Sequence, residues 1–153
     1  MIQRVQSLYF LIVTVLMTLT MSLNLAEIPL ADETIILKAF KLKAITADGV
    51  ESVIAGTPLM GSLILICTIV SFFTIFLYRK RMLQVRLCFA LVVMLLGAQG
   101  FIVYYITKMN TDMSLISYKI ADVFPIISAI LIYLAFRGVI RDEMLLRSLN
   151  RIR

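Results

Sequence analysis

The chain has 153 residues, 61% of them hydrophobic, a mean hydropathy of +1.01 and a formal charge of +6. A soluble domain this apolar would lack the polar surface to stay in solution, so the composition argues against a water-borne enzyme or binding module and for a membrane chain. His is absent and only Cys67 and Cys88 are available, which leaves a disulfide framework, a Cys/His zinc site and a His-ligated haem without ligands.

The length allows one compact bundle of about four spans of roughly 20 residues each, with short loops and a tail left over. Residues 1–6 form a polar lead with Arg4 as its charge, and residues 7–26 follow without a charge, long enough to cross a bilayer. A cleaved signal peptide is the rival reading. The run exceeds a typical signal core, and Asn24 would occupy the minus-three position if Ala26 were the cleavage residue, so a retained span is expected. Thr14, Thr18 and Ser22 recur every four residues and predict a packing seam where small side chains let helices approach.

From 27 to 57 charges return, Pro29 and Pro58 bracket the segment and Asp48-Gly49 sits inside it. Residues 34–46 and 50–54 flank that turn signal, which predicts a small β-hairpin, with a short helix as its competitor. Five acids and three lysines, with no arginine, place the segment on the extracytoplasmic side.

The second span is expected at 59–78 and the third at 87–107, joined by a stretch containing Arg79, Lys80, Arg81 and Arg86 and no acid. So basic a connection stays cytoplasmic. Gln99 is the most polar side chain in the middle of the third span, and an amide in hydrocarbon must find a partner; an interhelical hydrogen bond is the plain reading and ligand contact the other. A fourth span is expected at 118–136, with Lys119 and Asp122 three apart on one helical face at the outer boundary and Pro125 kinking or loosening the helix above Ser128. Residues 137–153 make a basic amphipathic tail in which Arg137, Arg141, Arg147 and Arg151 lie largely opposite Ile140, Met144, Leu145 and Leu149. Such a tail suits an anionic leaflet or a partner subunit.

All nine arginines then fall on one side of the membrane together with Lys80, while seven of the nine acids fall on the other, so both termini are expected in the cytoplasm. The predicted fold class is an all-α membrane protein, a bundle of four transmembrane helices with the small outer segment between the first two.

The opening Met-Ile-Gln-Arg-Val-Gln, the block Phe76-Leu77-Tyr78-Arg79-Lys80-Arg81 with Gln84-Val85-Arg86-Leu87, and the ending from Arg141 to Arg153 together carry a likeness. Over essentially the whole length the chain resembles a family of small, uncharacterised four-span bacterial inner-membrane proteins classed as a domain of unknown function. That resemblance implies a bacterial cytoplasmic (inner) membrane and brings no catalytic residue with it.

No paired carboxylates in the spans and no nucleophile with its base can be assembled, so no catalytic, cofactor or metal residue is assigned and no cofactor is expected. The expected function is a non-enzymatic accessory or scaffold subunit of an inner-membrane complex, docking through its helix faces, basic loop and basic tail. The alternative is a lipid- or quinone-handling protein, a carrier or an enzyme acting on headgroups, with a site in the bundle lined by Gln99, Tyr104, Tyr105, Lys119 and Asp122 and with Arg79, Lys80, Arg81 and Arg86 to hold a phosphate. The expected partners are anionic lipid headgroups and other membrane subunits, not nucleic acid, and Arg79, Lys80, Arg81, Arg86, Arg137, Arg141, Arg147 and Arg151 are the candidate contacts.

Overall fold

The structure, a computed structural model, describes residues 3–29, 33–46, 49–77, 81–108 and 116–150, with side chains at all of these except 3, 4, 81, 142, 143 and 145–150. Four helices carry the fold: α1 (Gln3–Ser22), α2 (Pro58–Phe76), α3 (Arg81–Lys108) and α4 (Phe124–Asn150). Each holds a stretch long and apolar enough to cross a membrane. They pack as a ring in which α1 and α3 each touch both α2 and α4.

The inward face of each helix follows one rule. Buried positions recur at alternating steps of four and three: Gln6, Phe10, Val13, Met17 and Thr20 on α1, and Met60, Ile64, Cys67, Ser71 and Thr74 on α2. Gln84, Cys88, Leu91, Leu95, Ala98 and Ile102 do the same on α3, and Pro125, Ser128, Ile132, Ala135 and Val139 on α4. This mean step of 3.5 residues is the repeat of helices that meet knobs-into-holes at a small crossing angle. The outward faces are as apolar as the inward ones or more so, with Leu65, Ile66, Ile69, Phe72, Phe73 and Phe76 all exposed on α2. The interior mixes large apolar side chains such as Phe10, Ile64 and Leu91 with the weakly polar Ser71, Thr74 and Ser128, while large apolar side chains cover the outside, the arrangement suited to lipid rather than water.

The expected seam on α1 holds only at Thr14. Its hydroxyl donates to Ser71 Oγ at 3.2 Å, and Ser71 donates to the Phe10 carbonyl at 3.2 Å, tying α1 to α2. Thr18 and Ser22 are exposed and return their hydroxyls to carbonyls one turn back in their own helix. A step of four drifts across a helix face, whereas the four-three step stays on the seam.

The outer segment is larger than a hairpin. Four strands follow α1, namely β1 (Ala26–Pro29), β2 (Glu33–Leu37), β3 (Lys41–Thr46) and β4 (Glu51–Gly56), and β5 (Ser117–Tyr118) comes from the connection between α3 and α4. All pair antiparallel in the order β4-β3-β2-β1-β5. The hairpin expected about residues 48–49 is the β3–β4 pair, with Gly49 at φ 78 supplying the left-handed turn residue and Asp48 outside the described residues. The single run expected over 34–46 is broken in two by a turn at 38–41, closed by the Lys38 amide donating to the Lys41 carbonyl at 2.9 Å. Nothing in Lys-Ala-Phe-Lys signals that turn.

Tertiary contacts supply what the turn residues do not. The Thr57 amide donates to the Phe40 carbonyl at 2.9 Å, and the Thr57 hydroxyl donates to the Ala39 carbonyl at 3.0 Å. The Phe40 ring then lies over Gly61 in the first turn of α2, so close that a Cβ at Gly61 would stand 2.6 Å from Phe40 Cε1. The sheet's inner face, including Ala26, Leu37 and Leu42, joins the same buried cluster as the interior of the bundle.

Two helix boundaries differ from the expected spans. The basic connection is largely helical: α3 begins at Arg81, because Arg, Met, Leu and Gln favour helix and neither Gly nor Pro interrupts them. Pro125 is the second residue of α4, preceded by a 3-10 turn over Ile120–Val123, so it stands where a helix has no amide to lose and does not interrupt the span. Ser128 accordingly has no freed carbonyl to take up, and its buried Oγ has no partner among the described residues. From there α4 runs without a break through Arg137 into the basic tail.

Candidate functional site

Polar side chains gather at the two ends of the bundle. At the sheet end, Gln99 on α3 donates from Nε2 to Asp122 Oδ1 at 3.1 Å, joining α3 to the 3-10 turn that leads into α4. Gln99 Oε1 is buried without a partner among the described residues. Lys119 and Asp122 do not pair, contrary to the helical spacing. Lys119 is extended, at φ −94 and ψ 157, and the turn starts only after it, so the two side chains leave on different sides. Lys119 reaches Glu27 on β1 instead, at 2.9 Å, while its amide donates to the Leu25 carbonyl at 3.1 Å. Glu27 also accepts from Asn24 Nδ2 at 3.1 Å. The Lys119 ammonium and then the Asn24 amide hold the Glu27 carboxyl below the usual carboxylate range, against the opposing effect of burial.

This constellation has two carboxylates, two amides and an ammonium, each engaged by another group, and it lacks a nucleophile aligned with a base among the described residues. Its geometry fastens elements to one another: Lys119 closes the sheet on β5, and Asp122 sets where α4 starts.

The opposite end is built differently. Arg86 on α3 and Arg137 and Arg141 on α4 are exposed, and none has an ion-pair or hydrogen-bond partner among the described residues. Arg137 and Arg141 stand one turn apart on α4 and, with Leu134, Gly138, Ile140 and Met144, line an open groove of about 600 Å³. Gly138 lets α1 approach, since a Cβ there would stand 3.2 Å from Nε2 of the buried Gln6. Two guanidinium groups at one-turn spacing repel each other mildly in the absence of an anion and can both donate to one phosphate or carboxylate when it is present. Apolar Leu134, Ile140 and Met144 beside them add a surface for a hydrocarbon chain or an apolar side chain. Of the other cations expected here, Arg79, Lys80 and Arg151 lie outside the described residues, as do the side chains of Arg81 and Arg147 on α3 and α4.

Two features escaped the sequence. Gln6 and Gln84 are buried at the basic end of the bundle, at 7% and 4% exposure. They lie on the four-three stripes of α1 and α3, which only the packed helices reveal. The open edge of β4 carried no signal either, because its exposure depends on which strand ends the sheet.

A family model described as Domain of unknown function (DUF4293) matches residues 2–152, which takes in all four helices and the sheet. The chain belongs to this family. No curated protein matches it. The family's description assigns no activity, so function rests on what the two ends of the bundle can do.

Proposed function

We propose that the protein is a non-enzymatic accessory or scaffold subunit of a multi-subunit complex in a bacterial inner membrane, with both termini in the cytoplasm and the sheet outside. The sequence supports that orientation, since all nine arginines lie outside the segments that join the first span to the second and the third to the fourth. One observation carries the functional reading: Thr14 bonds to Ser71, Gln99 to Asp122 and Lys119 to Glu27 within the fold, whereas the cations that line the groove on α4 are exposed and unpaired among the described residues. Groups that already bond one another stabilise this chain, and groups left open are available to another molecule.

Purification of the tagged chain at native level in mild detergent tests this. A second, stoichiometric membrane subunit is expected, reduced in R137A/R141A. Recovery of this chain alone, or with copies of itself alone, overturns it.

A second reading, lipid handling, is favoured by the same groove, where cationic and apolar side chains alternate along one helix face in the manner of an anionic amphiphile. Its site then lies at the cytoplasmic end of α4 rather than around Gln99, whose amide is already engaged by Asp122. Lipid extracted from the purified protein and identified by mass spectrometry distinguishes the two readings.

A further inference from the structure

The sheet has two edges, and they are finished differently. β5 is two residues long, too short to template another strand, whereas β4 has six residues, all exposed. Val53 is 60% exposed and Ile54 51%, and Val50, just before the strand, is 63% exposed. β4 contains neither Lys nor Pro, the residues that usually blunt an edge, and its one charge is Glu51.

The register with β3 determines which way each β4 residue faces. Ser52 pairs with Ala44 and Ala55 with Leu42, and Ala44 and Leu42 are buried against the bundle, so Ser52 and Ala55 face the helices. Glu51 pairs with Ile45 and Gly56 with Lys41, and both face away. An ordinary strand of six residues could not begin and end on the same face. β4 does so because it carries one extra residue, Ile54, bulged between the partners of Leu42 and Lys43 and left without an opposite residue. The order of faces is therefore the same from either end: away, toward, the Val53-Ile54 centre, toward, away.

We propose that β4 is a homodimer interface, pairing antiparallel with β4 of a second copy about a two-fold axis between Val53 and Ile54. In that register Glu51 lies opposite the second copy's Gly56 and Ser52 opposite its Ala55, and both pairs match in face, while Val53 meets Ile54 at the axis. A shift by one residue would set Glu51 against Ala55 and lose the match. The axis is perpendicular to the sheet, so both helix bundles stay on the same side of the joined sheet, as one membrane requires.

Charge supports the same register. Gly56 has no side chain, and Lys41 lies beside it on the away face without an ion-pair partner among the described residues. The second copy's Glu51 thus comes within about 10 Å of the Lys41 backbone, two strand spacings, and the lysine reaches it across the glycine. Glu51 already receives Lys43 of its own chain at 2.6 Å, so each carboxylate stands between two ammonium groups. Val50, Val53 and Ile54 of both copies supply the apolar contact.

Paired cysteine variants test this. Differently tagged S52C and A55C chains, co-expressed and mildly oxidised in membranes, are expected to form a disulfide-linked S52C–A55C dimer, whereas S52C alone and A55C alone do not. Cys67 and Cys88 are buried in the helices and do not interfere. In a second measurement, E51K is expected to lower the dimer fraction about tenfold and K41E/E51K to restore it. The proposal is overturned if the mixed variants stay monomeric, if the single variants link equally well, or if S52C links to a different protein. Should E51K fail to fold, the cysteine pair alone decides.

Discussion

The two ends of the bundle use charge in opposite ways. At the sheet end, Asn24, Glu27, Gln99, Lys119 and Asp122 bond across the connection after α1, β1, α3 and the 3-10 turn. At the other end, Arg86, Arg137 and Arg141 bond to nothing among the described residues. The first end therefore determines the shape of the protein, and the second responds to what lies outside it. Mutations should separate the two: at the sheet end they lower stability, at the basic end they leave stability alone and weaken binding.

The largest loss is expected for Gln99→Leu, which leaves the Asp122 carboxylate without its amide donor. Removing a hydrogen bond to a charged, half-buried group costs about 2–3 kcal/mol, measured by reversible unfolding in mixed micelles. Gly61→Leu should cost about 1–3 kcal/mol, because the whole Phe40 ring must leave its seat on α2. Gly100→Ala is the control, since a Cβ there would meet nothing within 4 Å beyond its chain neighbours and its own helix backbone; it should leave stability unchanged or raise it by up to about 1 kcal/mol.

Glu27 gives the sheet end a pH dependence of known sign. Its carboxyl is held below the usual range in the folded chain, so its contribution is complete above the ordinary carboxylate value and is lost as pH falls through the lowered folded value. The pair is partly exposed, 42% at Lys119 and 27% at Glu27, so the effect is under about 1 kcal/mol. Lys119→Ala should flatten the acid limb of the stability profile, and a limb as steep as that of the unmutated chain would contradict the pairing.

The smallest effect on stability belongs to Arg137→Ala and Arg141→Ala, each within about 0.5 kcal/mol. Each should nevertheless weaken the binding of anionic lipid added to the detergent-solubilised protein by about 1 kcal/mol, roughly fivefold. A large loss of stability in either variant would erase the distinction between the two ends.

The bundle was legible in the sequence because four long apolar runs admit few other fates, and the hairpin was legible because Asp48-Gly49 announces a turn. The four-three stripes were not, since Phe72 and Leu65 outside are as apolar as Ile64 inside and the contrast that reveals an amphipathic helix is missing. β1 and β5 are too short to show a period, and the turn at 38–41 is held by Thr57 and Gly61 rather than by its own residues. Of the candidate site, the cations were legible by type. Which of them share a groove, and that Lys119 turns to Glu27 rather than to Asp122, depended on where α4 begins.

That β5 comes from the α3–α4 connection means the outer layer cannot be completed in the order in which the ribosome makes it. β1 is synthesised early, yet one of its edges stays open until α2 and α3 have been made and Tyr118 and Lys119 arrive to close it. A nascent chain that stops before then presents an unpaired strand and a Glu27 without its counter-ion, features on which chaperones and quality-control proteases act.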